Sequence, residues 1–232
     1  MEIFLKVCGI ILFILNNYIG NFKDDLAQGL GKFICHSGEI YVGLWERDKQ
    51  HGKGEEFYKD GSRYIGSFEN GIKQGKGKYF FADRSSYEGN FDKNKINGKG
   101  TYRWKDGKVY SGDFVNEKME GNGVFIWPDK KKYIGQYLKD KKHGLGIFLW
   151  PNGKRYEGEW KHGKQNGHGI MISGNEKKYG LWEEGQLVNW VSEEDCFDLI
   201  YKLNYIKFND IQSVYSISIS SSKNSSTKKP KK

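Results

Sequence analysis

The residues of this chain that could do chemistry are five histidines, three cysteines and several runs of paired basic residues, and spacing decides what each could do. His51 and His143 each stand directly before a glycine, at the same place in two similar stretches. They therefore belong to a recurring pattern and not to a catalytic dyad. His36, His162 and His168 make no metal-ligand spacing. Cys8, Cys35 and Cys196 are odd in number, widely spaced and free of any Cys-x-x-Cys. They make neither a disulfide framework nor a zinc site, and they suit a reducing compartment. The many Gly-x-Gly pairs lack the further residues of a phosphate-binding loop, and neither a nucleophile elbow nor a His-Glu-x-x-His helix is present. The expectation is a chain that is not an enzyme, with no catalytic residue, metal ligand, cofactor or small-molecule substrate.

Charge is the stronger chemical signal. The formal net charge is +9, which favours acidic partners such as anionic lipid, nucleic acid or an acidic protein face. Lys49, Lys95, Lys118, Lys141 and Lys164 recur in register, and so do Lys53, Lys76 and Lys99. Pairs stand just before recurring tyrosines: Lys131-Lys132, Lys154-Arg155 and Lys177-Lys178. These six are the candidate surface for anionic phospholipid or an acidic partner. At about 1 kcal/mol per basic residue near an anionic membrane, they supply a few kcal/mol after screening. The plainer alternative is that turns and exposed faces are charged for solubility. No nucleic-acid motif accompanies the charge, so no nucleic-acid partner is expected.

What must position these residues is a repeat. Tyr recurs at 18, 41, 64, 87, 110, 133, 156 and 179, always 23 residues apart. Two residues after each of the first seven comes Gly (20, 43, 66, 89, 112, 135, 158), and two further on an aromatic (Phe22, Trp45, Phe68, Phe91, Phe114, Tyr137, Trp160). Two more glycine columns follow, at 29, 52, 75, 98, 121, 144, 167 and at 31, 54, 77, 100, 123, 146, 169. A spacing of two is the strand period. Tyr, Gly and Trp/Phe are then expected on one face of a first strand, and Gly, Gly and a ring (Phe33, Tyr79, Tyr102, Phe125, Phe148) on one face of a second. Gly is poor in a strand by itself, and here it would leave room for a ring from the neighbouring strand. Polar turns such as Arg47-Asp48-Lys49 and Glu69-Asn70-Gly71 join the strands. Asp60-Gly61, Asp106-Gly107 and Asn152-Gly153 join the repeats as hairpin signals. The expected fold is all-β: an elongated, single, twisted antiparallel sheet of β-hairpins, about 70 Å long at about 10 Å per repeat. Three departures stand out. Glu56 and Met171 replace rings, and Tyr179-Gly-Leu-Trp182 is shifted by one, as in a terminal half-repeat.

The pattern Tyr41-Val-Gly43-Leu-Trp45 followed by His51-Gly52-Lys-Gly54 resembles the MORN repeat (membrane occupation and recognition nexus), and the resemblance covers about residues 18–190. Proteins with this repeat use it as an elongated β scaffold in junctional membrane proteins, ciliary radial spokes and protist cytoskeletons, and beside phosphoinositide kinase domains. The resemblance implies a non-catalytic scaffold for protein–protein interaction, in the cytoplasm at membrane or cytoskeleton, with other proteins or a second copy of itself as partner. Two alternatives stay open. One is a peripheral membrane module that binds anionic phospholipids. The other is a targeting subunit associated with a lipid-kinase-type enzyme.

The domain plan is residues 1–17, then 18–190 as seven and a half repeats, 191–210 as a capping helix and 211–232 as a disordered Ser/Lys tail. Ile3 to Leu15 is apolar except for Lys6 and Gly9, too short to span a bilayer. It admits two readings: a signal or anchor with a weak charged start, or an apolar segment that caps the first hairpin. Ser192-Glu-Glu-Asp195 reads as a helix start. Cys196, Phe197, Ile200, Leu203 and Tyr205 follow at helical spacing, so a helix over 193–207 is expected to cover the exposed last strand.

Overall fold

The computed structural model describes residues 16–209, with side chains as far as Leu203. The apolar segment Ile3–Leu15 and the Ser/Lys tail lie outside the described residues. The chain divides into two compact units, residues 1–118 and 119–232. The first holds β1 (Asn17–Lys23), β2 (Leu26–Ile34), β3 (Ile40–Glu46), β4 (Lys49–Phe57), β5 (Arg63–Glu69), β6 (Ile72–Phe80), β7 (Ser86–Asp92), β8 (Lys95–Arg103) and β9 (Val109–Val115). The second holds β10 (Lys118–Ile126), β11 (Lys132–Leu138), β12 (Lys141–Leu149), β13 (Arg155–Lys161), β14 (Lys164–Ser173), β15 (Glu176–Glu183) and β16 (Gln186–Trp190). A 3-10 turn, Glu194–Cys196, leads into helix α1 (Phe197–Asn209). Within each unit the strands follow chain order, each antiparallel to the next. The antiparallel sheet of hairpins with a short C-terminal helix is therefore the fold that forms.

The core of each hairpin is a tyrosine over glycines. Tyr41, Tyr64, Tyr87, Tyr110, Tyr133 and Tyr156 are the largest fully buried side chains. Gly43 of β3 pairs with Gly54 of β4. A Cβ added at Gly43 would come within 2.5 Å of both the Gly54 Cα and the Tyr41 hydroxyl, and one added at Gly54 would run into the same Tyr41 ring. The ring thus lies over the glycine of its own strand and the facing glycine of the next. Its edge meets the aromatic two residues past that glycine and the matching aromatic of the following repeat. Tyr41 lies 5.3 Å from Trp45 and 5.0 Å from Phe68 at close to right angles. Tyr87 repeats this with Phe91 and Phe114, and Tyr156 with Trp160 and Trp182. Each such T-shaped pair contributes about 0.5–1.5 kcal/mol beyond area.

The second strand does not alternate as expected. A β-bulge shifts the register after the first-strand glycine, between Gly43 and Leu44 or between Gly89 and Phe91. It puts the first glycine of the following strand on the opposite face. Gly98 has φ +78°, and a Cβ there would meet Asn90, not a ring. The two glycine columns of the second strand therefore have different causes. One is set by backbone handedness at a bulge and the other by a ring overhead. The tyrosine hydroxyl ties the two features together. Tyr87 donates to the carbonyl of Asn90 at 3.0 Å, and Tyr41 to that of Leu44 at 2.8 Å, in both cases the residue that follows the first-strand glycine at the register shift.

The turns separate into two kinds. Within a repeat, two residues with positive φ make a type I′ turn, as at Arg47-Asp48 (48°, 62°) and Lys93-Asn94 (49°, 69°). The second residue bonds back one repeat: Asn94 Oδ1 accepts from the Lys73 N–H at 2.8 Å, and the Asn94 N–H donates to the Lys73 carbonyl. The Asp-Gly and Asn-Gly pairs sit instead in longer connections between repeats, where the Gly61 N–H donates to Tyr58 O and the Tyr58 N–H to Ser62 O.

The helix corrects a second expectation. It does not lie along the last strand. Leu199 and Leu203 pack on Ile170 and Ile172 of β14, with Leu145, Tyr179 and Ile200 beside them, while every residue of β16 stays exposed. The reason is the composition of the face away from the tyrosines. In the second unit one cross-strand row on that face reads Val124, Ile134, Ile147, Glu157, Ile170, Tyr179. In the first unit the same row reads Val42, Glu55, Ile65, Lys78, Glu88, Thr101. The second row is apolar except for Glu157, whereas the first mixes acidic, basic and apolar residues, so the second offers the larger apolar area. The one-residue shift at Tyr179 matters here. Gly180 and Trp182 keep the register of the repeat opposite Gly169 and Gly167, so Tyr179 turns to the helix face and Lys178 takes the ring position. The helix start is as expected, since the Ser192 hydroxyl accepts from the Asp195 N–H at 3.2 Å and the Asp195 carboxylate accepts from the Ser192 N–H at 3.0 Å.

Replacing Gly100 by Ala drives a methyl into the Tyr87 ring and costs about 3 kcal/mol. Replacing Tyr87 by Phe leaves the packing and removes one hydrogen bond, for about 1 kcal/mol. Urea unfolding followed by tryptophan fluorescence measures both. Equal losses from the two variants would show that the ring over glycine is not what sets the core.

Candidate binding surface

The tyrosine face carries a second line of rings along one rim, contributed by the ends of the second strands and the connections after them. In the first unit Tyr58, Tyr79, Phe81, Tyr102 and Trp104 stand in order, with centroids 5.8, 4.5, 5.5 and 4.5 Å apart. In the second unit Phe125, Trp127, Phe148 and Trp150 do the same at 4.4, 5.6 and 4.7 Å. Most of these rings are half-buried, in contrast to the sealed tyrosines beside them. Polar neighbours hold the tyrosines of this line. Asp83 accepts from the Ser85 N–H and hydroxyl at 2.9 and 2.6 Å, and the Ser85 oxygen lies 3.0 Å from the Tyr102 hydroxyl. The hydrogen bonds from Ser85 hold the Asp83 carboxyl below its ordinary range. The result is a line of closely spaced rings whose tyrosine hydroxyls are held by hydrogen bonds.

Two lysines enter this face, three repeats apart, and the sequence reading passed over both. Lys73 of β6 lies opposite Phe68, and Lys142 of β12 opposite Tyr137. Lys73 bonds Glu56 at 2.6 Å, and Glu56 also accepts from the Tyr58 hydroxyl. That explains the departure at 56. The carboxylate stands where a ring is usual because a cation sits beside it. Lys142 is placed differently. Its ammonium lies over Trp160 at 4.0 Å, Phe148 at 4.9 Å, Tyr133 at 5.5 Å and Trp127 at 6.0 Å. The counterpart of Glu56 in this repeat is Phe125, itself 9% exposed. Burial among the rings pushes the Lys142 ammonium down to about 8 from an ordinary 10.5. The available signal was a lysine in the column Ala27, Gln50, Lys73, Ile96, Met119, Lys142, Gln165, directly across from the aromatic column.

The six expected basic residues do not share one surface. Lys132, Arg155 and Lys177 lie in one row with Leu149 and Ile172 between them, on the helix face. Arg155 is bonded at 2.8 Å to Glu157, which is 3% exposed. Arg155 and Lys177 line a cavity of about 100 Å³ under the helix, with Glu157, Tyr179, Glu193 and Leu203. Lys131 pairs with Asp129 at 2.8 Å. Lys178 pairs with Glu176 at 3.0 Å on the tyrosine face, 5.8 Å from the Trp190 ring. Lys154 and Lys177 are exposed. Of the other basic residues, Lys53 donates to Ser67 and Lys99 pairs with Asp113.

The histidines and cysteines keep their structural reading. His51 Nε2 is 3.4 Å from Glu46, and His143 takes the same place in its own repeat. Cys35 accepts from the Ser37 hydroxyl, and Cys196 is buried beside the helix start. Among the described residues no group of three or more His, Cys, Asp or Glu could hold a metal ion, and no helix is long and apolar enough to cross a membrane.

Hairpins stacked in chain order around tyrosine–glycine pairs, with a ring-lined face, define a repeat scaffold. Seven consecutive MORN repeats match over residues 18–40, 41–63, 64–86, 87–109, 110–132, 133–155 and 156–176, and the chain belongs to the MORN repeat family. No curated protein matches it in sequence. Among solved structures it is similar to the TCP domain of SAS-4 (dCPAP) of Drosophila melanogaster in complex with a proline-rich motif of Ana2 (dSTIL), with 12% identity over 79% of this chain and 99% of that one at a TM-score of 0.46. It is also similar to the wild-type TCP10 domain of Danio rerio CPAP in complex with a STIL peptide, with 12% identity over 71% and 84% at 0.27. Scores this low carry nothing about function from those proteins to this one.

Lys142 makes stability depend on pH. Its folded pKa lies below its unfolded one, so between about pH 8 and 10.5 the unfolded chain holds a proton that the folded chain has released, and raising the pH favours folding. Met119 already occupies this place one repeat earlier, so Lys142→Met folds. Near pH 7 that variant melts higher than the wild type, and by about pH 10 the gap closes. Thermal melts at both values measure this, and a gap independent of pH would show that Lys142 is not desolvated.

Proposed function

We propose that this chain is a non-catalytic scaffold that binds other proteins on its ring-lined face. The half-exposed ring ladder carries the reading. Large rings held in regular order and left partly open to water are what an interaction surface uses as anchors, because little side-chain entropy is lost on binding. A sheet of identical hairpins also presents those anchors at a fixed repeat distance, which suits an extended segment of a partner. Through such a partner the scaffold is held at a membrane or on the cytoskeleton. A second copy of the chain is one protein that could fill the role.

Docking of anionic phospholipid through Lys131, Lys132, Lys154, Arg155, Lys177 and Lys178 is a second proposal, favoured by the exposure of Lys154 and Lys177. The ion pairs of Lys131, Arg155 and Lys178 weaken it.

A random peptide library displayed on phage and selected on the full chain tests the first reading. Selected peptides are expected to lose about tenfold or more in affinity when Phe81 and Trp104 are replaced by Ala. Failure to select any peptide, or peptides indifferent to both rings, would sink it. For the second reading, vesicles with phosphoinositide are floated at low and physiological salt. Salt-sensitive flotation that disappears when all six basic residues become Gln supports lipid docking, and no flotation at low salt ends it.

A further inference from the structure

The two lysines of the ring face make a comparison within one molecule. Lys73 and Lys142 occupy the same position of the repeat, each across from an aromatic and each among rings. At Lys73 the chain supplies its own counter-charge, because Glu56 reaches the ammonium at 2.6 Å and takes the Tyr58 hydroxyl as a second donor. Three repeats later, Tyr58 is replaced by Trp127, Tyr64 by Tyr133 and Glu56 by Phe125. The cage is rebuilt, a donor-bearing ring still stands in Tyr58's place, and the carboxylate is gone. Ring faces attract an ammonium but neutralise none of its charge, and a lysine held away from water without a counter-charge is costly. A column that elsewhere accepts Ala, Gln, Ile and Met has no packing need for lysine here.

We propose that the cage of Trp127, Tyr133, Phe148 and Trp160 around Lys142 is a binding site for a carboxylate side chain of a partner peptide, which takes the place that Glu56 fills at Lys73. The proposal rests on the scaffold reading above and names the chemistry its partner carries at one point: a single Asp or Glu flanked by apolar or aromatic residues. One ammonium ringed by aromatic surface suits one carboxylate with apolar neighbours. It does not suit a multiply charged lipid headgroup, for which the exposed Lys154 and Lys177 are better placed. Lys142 is half-buried and belongs to the ring face, so it is not sealed as the tyrosines beside it are. Lys142 lies in the same face as the rim ring Trp127, so a peptide that runs along the ladder passes it.

The test uses the full chain, wild type and Lys142→Met, against peptides selected from the same random library. Met119 shows that the fold takes methionine at this place. The wild type is expected to select peptides that carry Asp or Glu. Those peptides should bind Lys142→Met about tenfold or more weakly, the weight of a charge-assisted hydrogen bond. Changing the peptide's Glu to Gln should cause the same loss on the wild type and none on Lys142→Met. Peptides that depend on Phe81 and Trp104 but carry no carboxylate, or bind Lys142→Met equally, overturn the proposal and leave the scaffold reading standing. Selection of no peptide overturns both. Phosphatidylserine vesicles that bind the wild type but not Lys142→Met, with no peptide showing the same dependence, would assign the cage to lipid and also overturn it.

Discussion

Everything in this fold depends on one close approach, a tyrosine ring laid flat over two facing glycines. A sheet one layer thick has no opposing layer to bury its side chains against, and hydrophobic stabilisation needs area removed from water. The tyrosines solve this within the sheet. Each ring covers backbone that carries no side chain, so the ring is sealed by its own hairpin and by the aromatics of its own and the following repeat. Tyr64, Tyr87, Tyr110, Tyr133 and Tyr156 reach complete burial in this way. Burial has the expected electrostatic effect: desolvation pushes the Tyr87 hydroxyl up to about 12, against the opposing pull of its hydrogen bond at Asn90. The same hydroxyl donates to a carbonyl at the register shift, so ring, glycine and bulge form one device.

Because that device repeats from Tyr41 to Tyr156, what is particular to this protein sits where a column breaks. Glu56 breaks a ring column and is answered by Lys73. Glu157 breaks an apolar row and is answered by Arg155 at 2.8 Å. Tyr179 slips by one residue, and the ring that would have sat over glycine meets the helix instead. The tyrosine columns hold the hairpins together, and the exceptions give two units built on one plan different surfaces. The first offers a polar face opposite its tyrosines and an internally neutralised lysine. The second offers an apolar face that the helix occupies and a lysine that no carboxylate pairs with among the described residues.

Much of this was legible in advance. An interval of 23 residues with a period of two inside it leaves few alternatives to hairpins, and the tyrosine–glycine–aromatic face of the first strand follows directly. The second strand was read less well, because a bulge cannot be distinguished from straight alternation when both put glycine at the same spacing. Gly98 and Gly100 look alike in sequence and differ in cause. The turns show the same limit. The Asp-Gly pairs were the strongest hairpin signals, yet the tightest turns are Arg47-Asp48 and Lys93-Asn94, whose positive φ is held by the bond each makes to the preceding repeat.

The sequence alone determined the repeat, its length, its strand character and the family it resembles, because those follow from local periodicity that every hairpin obeys independently. Only the tertiary structure decided which charges meet. The six basic residues before the tyrosines are expected to form one surface, but strand pairing distributes them between a loop, the helix face and the ring face, since neighbouring residues of a strand point opposite ways. The helix likewise had the right start and the wrong destination. Its docking was set by where the larger apolar area was available, around Ile170 and Ile172. Lys142 among four rings drawn from β11, β12, β13 and the connection after β10 exists only once those elements are side by side.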